Sequence, residues 1–181
     1  MLDKSSHQAQ TLIALFNATF SESQRTQLVC CEKEPIYRPA DTQSPYHRII
    51  FAHGFFASAL HEIAHWCVAG SQRRLLEDFG YWYQPDGRTT EQQTEFERVE
   101  VKPQALEWIF SQAANFPFQF SADNIALNNQ ASDSFKNAVY HQVSAYLTGN
   151  LPRDAKVWTT CLLEHYRPNH PLTLSEFHLT L

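Results

Sequence analysis

A helix-rich α+β domain with a small β-sheet is the architecture this sequence predicts, and three observations carry that reading. Five segments either repeat apolar residues at helical spacing or stay small and apolar through several turns. Only two short stretches have the Val, Ile and Phe content of strands. Both of them lie before residue 60, so strands and helices do not alternate as they would in a doubly wound fold.

The helices and strands follow in order. Residues 5–20 read as an amphipathic helix with Leu12, Leu15, Phe16 and Phe20 on one side. Thr26–Cys31 and Arg48–Ala52 are the strands, and Pro35, Pro39 and Pro45 break the chain between them. His53 and Gly54 then turn the second strand into a helix, which Gly70 stops. Its residues Ala57, Ser58, Ala59, Leu60, Ile63, Ala64, Trp66, Cys67 and Val68 are small or apolar almost without a break, the mark of a buried helix. Residues 79–90 form a loop or hairpin around the turn Pro85-Asp86-Gly87. Gln92 to Gln112 is helical, with Phe96, Val99, Leu106 and Phe110 on one stripe. Residues 132–147 and 153–166 are two more helices, and Leu172–Phe177 is a last short one.

Composition narrows the function classes. The chain has 181 residues, 43% of them apolar and 13% aromatic, which suffices for one substantial core. No repeat, low-complexity tract or linker divides it, so residues 1–181 are read as a single domain. A net charge of -5 argues against nucleic-acid binding, which needs a basic face. No apolar run approaches the roughly 20 residues of a membrane span. The N-terminus has no basic segment followed by a signal-like apolar stretch, so a cytoplasmic location is expected. Cys30, Cys31, Cys67 and Cys161 form no C-x-x-C pair, and free thiols in a reducing compartment fit them best.

The buried helix carries the chemistry. It contains the run His61-Glu62-Ile63-Ala64-His65, an H-E-x-x-H motif. Positions i and i+4 share one helix face, so both imidazoles can grip one ion from a single rigid element. Glu62 is about 100° further round, where it reaches a metal-bound water more easily than it replaces a ligand. Core histidines satisfied by ordinary hydrogen bonds are the plain alternative. Three polar groups within one buried turn are costly without something to organise them, which favours a metal. The local arrangement expected is zincin-like.

Two histidines do not complete a catalytic centre. No histidine follows His65 until His141, so the third ligand is distant, and the carboxylates of the next helix are the candidates. Glu97, Glu100, Gln104 and Glu107 form one polar stripe there. Pro103 predicts a kink or a fresh helix start just beyond Glu100, which re-aims that side chain inward, so Glu100 is chosen as the ligand. Glu97 is the second choice, or an acid in the next shell or facing substrate. A solvated acidic face is the ordinary reading of such a stripe, and only the histidine pair outweighs it. Two histidines and a carboxylate support amide hydrolysis with Zn²⁺ and Glu62 as general base, or C–H hydroxylation with Fe²⁺ and O₂.

Several longer segments resemble the hydroxylase family of translation elongation factor P. They are Phe51-Ala52-His53-Gly54-Phe55-Phe56-Ala57-Ser58-Ala59-Leu60, Asp78-Phe79-Gly80-Tyr81-Trp82-Tyr83 with Pro85-Asp86-Gly87-Arg88, and Val99-Glu100-Val101-Lys102-Pro103-Gln104-Ala105-Leu106. The likeness is densest from about Glu34 to Phe118. It implies a protein hydroxylase acting on the β-lysyl-modified lysine of bacterial elongation factor P, with that factor as partner. It also implies a non-haem centre of His61, His65 and Glu100 that uses Fe²⁺ and O₂, although Zn²⁺ or another divalent ion can occupy such ligands as purified. The alternative kept open is a zinc-dependent metallopeptidase.

A β-lysyl-lysine arm is long and carries two amines, so its pocket should be acidic at one end and aromatic along its walls. Glu62, Glu97, Asp78 and Asp86 are candidates for the acid, and Tyr81, Trp82 and Tyr83 for the walls. Core or hairpin packing accounts for that aromatic triplet equally well. His53 is a candidate to orient a ligand from behind, with a strand-end histidine bonded to backbone as its plain alternative. Arg73-Arg74 is read as a solvated basic pair before a partner contact. Oligomeric state carries no expectation.

Overall fold

The computed structural model describes residues 7–80, 88–121 and 131–179. Helix α1 (Ala9–Gln24) leads into strand β1 (Thr26–Glu32), β2 (Ile36–Arg38) and β3 (His47–Ala52), and then into the central helix α2 (Phe56–Val68). Helices α3 (Thr90–Ala113), α4 (Asp133–Ala145) and α5 (Arg153–Tyr166) follow, with 3₁₀ turns at Arg73–Leu75, Glu77–Gly80 and Leu174–Glu176. The sheet order is β1-β3-β2, with β1 parallel and β2 antiparallel to β3. This is the expected α+β layout. No helix among the described residues is long and apolar enough to cross a membrane.

Strand β2 lies in the proline-broken stretch where no strand was expected. Its three residues pair only with β3, as Ile36↔Ile50, Tyr37↔Ile49 and Arg38↔Arg48. Pro35 and Pro39 bracket it, which keeps it short and at an edge, where a missing donor costs no ladder bond. Both outer edges of the sheet are plugged by side chains. On β1, Asn17 of α1 accepts from the Leu28 N–H at 2.7 Å and donates to its carbonyl at 3.3 Å. On β2, Asp78 accepts from the Tyr37 N–H at 2.8 Å.

Helix α2 packs against α3, β3, α1 and α5. Phe56, Ala59, Leu60, Ile63, Ala64, Trp66 and Cys67 are all buried. The turn that launches it places His53 (φ 55°) and Gly54 (φ 75°) in the left-handed region. Glycine is suited to the second position by its φ, which side-chain-bearing residues rarely adopt. Cys30 and Cys31 lie side by side near the end of β1, and Cys67 and Cys161 are free thiols as expected.

The far end of α2 is held by Arg74. Its guanidinium donates twice to the Trp66 carbonyl, at 3.0 and 2.8 Å, lies 3.8 Å from the Trp66 ring centre, and bonds Asp154 of α5 at 2.7 Å. A carbonyl left over at a helix C-terminus is thereby satisfied by a cation. The expected solvated basic pair is corrected for Arg74, which is drawn into the fold, and Arg73 donates to the Phe79 carbonyl at 2.8 Å.

Helix α3 opens on a capping box, Thr89 accepting from the Gln92 N–H and Gln92 from the Thr89 N–H. It then runs through Pro103 as one helix, so the fresh start expected there is absent. Residues 103–110 are all buried. Packing by α2, α4 and α5 along that half offsets the roughly 3 kcal/mol that an interior proline costs. The core beneath joins Phe16 and Phe20 of α1 to Trp66 and Trp158, with Phe20 and Trp66 ring centres 5.0 Å apart.

Replacing Asn17 with Ala leaves both edge groups of Leu28 without a partner in a partly buried place. Urea unfolding should show a loss of about 1–3 kcal/mol. Asn17→Asp, which keeps the acceptor and loses the donor, should fall between that variant and the wild type.

Candidate metal centre

His61 and His65 project from the same face of α2, one turn apart, and their Nε2 atoms face each other at 3.0 Å. Glu100 reaches the same point from α3. Its Oε1 lies 3.3 Å from His65 Nε2 and its Oε2 lies 3.9 Å from His61 Nε2. His61, His65 and Glu100 are the one group of possible metal ligands among the described residues whose donor atoms lie within 4.8 Å of one another.

This trio is not satisfied by its own hydrogen bonds. Two ring nitrogens facing each other at 3.0 Å need a proton or an ion between them. Glu100 Oε2 is buried with no hydrogen-bond partner, an arrangement a protein rarely leaves uncompensated. Donors at roughly 2.1 Å from one ion sit about 3.0 Å apart at right angles and about 3.4 Å apart in a tetrahedron. Two of the three observed separations, 3.0 and 3.3 Å, fall in this range and the third, 3.9 Å, lies above it, so the gap is close to the size of an ion.

Burial and charge oppose each other here. Burial alone pushes the His61 imidazolium down, but Glu107, Glu100 and Glu62 outweigh it and hold the group up at about 10. Burial likewise pushes the Glu100 carboxyl up, yet His65 and His61, helped by Gln104, hold it at about 2. Glu62 is raised, first by burial and then by Glu100 and Asp78, against the pull of both histidines. His61 is deep among protein atoms but keeps 28% of its side-chain surface accessible, and His65 keeps 18%, so one side of the centre meets solvent.

The other expected residues are distributed differently. Glu97, the second choice as ligand, accepts at 2.8 Å from the hydroxyl of Ser132, which also caps α4. It turns to the next helix because it lies a turn nearer the start of α3, away from α2's histidines. Asp78 stands near enough to raise Glu62, although one of its oxygens is committed to the edge of β2, and burial raises its own carboxyl. His53 stands exposed at the left-handed turn, its ring 5.7 Å from that of Phe55, with no bond to a ligand. Tyr81, Trp82, Tyr83 and Asp86 lie outside the described residues.

Sequence reasoning gave Glu107 no role. Its Oε2 lies 2.8 Å from His61 Nδ1, on the far side of the ring from the gap. The signal was present, since Glu107 is seven residues beyond Glu100 on the same stripe. Gln104 between them locks Ser121 with two bonds, at 2.6 and 3.2 Å. A stripe that looked like a solvated face is buried from Glu100 onward.

Residues 15–177 match the sequence profile of the elongation factor P hydroxylase family. The chain belongs to that family. It is also similar to the elongation factor P lysine hydroxylase of Haemophilus influenzae, at 51% identity over 174 residues that cover 96% of this chain and 98% of that protein. Every member of the histidine–carboxylate cluster falls inside the span that defines an elongation factor P hydroxylase.

The opposed charges predict how the chelator-treated protein responds to pH. His61, raised from 6.5 to about 10, contributes stability that is full below 6.5 and is lost as pH rises through 10. Glu100, lowered from 4.5 to about 2, contributes stability that is full above 4.5 and is lost as pH falls through 2. Thermal unfolding in EDTA should therefore give the highest Tm between about pH 4.5 and 6.5, declining on both sides. Glu100→Gln should flatten the profile.

Proposed function

We propose that this chain is a protein hydroxylase acting on the β-lysyl-modified lysine of translation elongation factor P, through a non-haem iron centre held by His61, His65 and Glu100. The observation that carries the reading is the convergence of two imidazole nitrogens on a buried, unpartnered carboxylate oxygen in a member of this family. Two histidines and one carboxylate leave positions open on the ion, and Fe²⁺ bound there supplies the O₂ chemistry that C–H hydroxylation needs. The H-E-x-x-H helix with its acid from α3 is a zincin-like local arrangement, on a single catalytic domain that works in the cytoplasm beside the translation factor.

The chain's own residues prepare the rest. Glu62 feels the charge of the ligand trio and of Asp78. Burial disfavours its charged form, and an ammonium group arriving from the substrate arm would restore it, so Glu62 is placed to bind and orient a substrate amine. Asp78 adds a second negative charge on that side of Glu62's surroundings. The helix packing around Glu100 excludes water from that ligand while the two histidines remain reachable.

Two measurements test this reading. Metal analysis of protein purified without oxygen should find about one iron per chain. His61→Ala, His65→Ala and Glu100→Ala should each lose it, while Glu97→Ala keeps it. Incubating iron-loaded protein with β-lysylated elongation factor P, ¹⁸O₂ and ascorbate as a two-electron reductant should add one labelled oxygen to the modified lysine by mass spectrometry, the second oxygen atom leaving as water. A fully loaded protein that adds none, and instead cleaves peptides in a way abolished by Glu62→Gln, would restore the zinc peptidase.

A further inference from the structure

We infer that Glu107 is a positioning residue that accepts the Nδ1 proton of His61 and so holds the Nε2 lone pair of that ring toward the gap shared with His65 and Glu100. The inference rests on the metal reading above and assigns a part to a residue outside the ligand set.

A neutral imidazole carries its single proton on either nitrogen, and only the bare nitrogen binds an ion. A free histidine side chain favours the proton on Nε2 by a small margin, so a hydrogen bond at Nδ1 is enough to reverse the choice. At 2.8 Å from Nδ1, the Glu107 carboxylate can only accept, so it fixes the proton on that side. It also pins the ring plane, because Nδ1 and Nε2 lie on opposite sides of the imidazole. The carboxylate has little freedom of its own, since its side chain is 11% exposed and lies in the buried run 103–110 of α3.

The centre is asymmetric in this respect. His65 has no hydrogen bond at Nδ1 among the described residues, and its recorded partners are His61 and Glu100. His61 is thus the ligand held from behind. One helix supplies both the carboxylate that faces the ion and, two turns further on, the carboxylate that orients the opposing ligand. Any shift of α3 along α2 moves both together, so the centre keeps its geometry only while that helix pair stays in register.

The test uses the full chain and Zn²⁺ as probe, read by competition with a chelating dye. Glu107→Met, similar in length but without an acceptor, should weaken zinc binding by about 10–100-fold. Glu107→Gln, which retains an oxygen acceptor, should recover most of that loss. In ¹⁵N-histidine spectra of the zinc-loaded wild type, His61 should coordinate through Nε2 and show a slowly exchanging Nδ1 proton. Equal zinc affinity in wild type and Glu107→Met would overturn the inference and leave the metal centre standing. Coordination of His61 through Nδ1 in the wild type would overturn it even where the Met variant fails to fold. A wild type that takes up no zinc or iron would sink the metal reading itself and this inference with it.

Discussion

The interface between α2 and α3 must bury a carboxylate against two imidazoles, and much of the molecule can be understood as what makes that tolerable. An ionised acid with 3% of its side chain exposed is among the most expensive groups a fold can carry. Charge returned from His61 and His65 is the compensation, and it works only at short range. That requirement explains why α2 is so thoroughly packed. A helix free to roll by a few degrees would separate its Nε2 atoms from Glu100. Arg74 clamps one end of α2 to α5, and Ser58 accepts from the Ala52 N–H to tie the other to β3. Small residues, Ala59 and Ala64 among them, let neighbouring elements come close.

The same requirement accounts for Pro103. A proline inside a buried helix is tolerated where tertiary contacts fix the backbone regardless of its own preference. Here it falls between Glu100 and Glu107, in the half of α3 that faces the centre. The helix therefore delivers both acids on a continuous lattice, and their spacing is set by helical geometry. A true break at that point would have decoupled them.

Much of this was legible beforehand. The H-E-x-x-H spacing, the small apolar run around it and the lack of any nearby third histidine were enough to pick out Glu100 as the acid that the fold brings beside His61 and His65. The strands and all five helices are near their expected bounds, because each has a period or a composition that local physics determines. What escaped was decided by contacts between distant segments. Strand β2 has only three residues and owes its existence to β3. Glu97 and Glu100 differ by one turn in sequence, yet Ser132 at the start of α4 claims one and α2's histidines claim the other. Arg74 looked like a surface charge, and Glu107 was one more member of the candidate stripe with no part of its own, because nothing in a linear pattern reveals that their partners, Asp154 and His61, lie 80 and 46 residues away.

Asn17 and Asp78 have a bearing on how a protein substrate can be received. An open sheet margin invites another polypeptide to line up beside it through main-chain pairing, and many peptide receptors work in that way. Here the Leu28 amide and carbonyl are already taken by a side chain, and so is the Tyr37 amide on the opposite border. An incoming strand would find its main-chain partners taken at these two points, while the side of the centre where His61 and His65 meet water stays open.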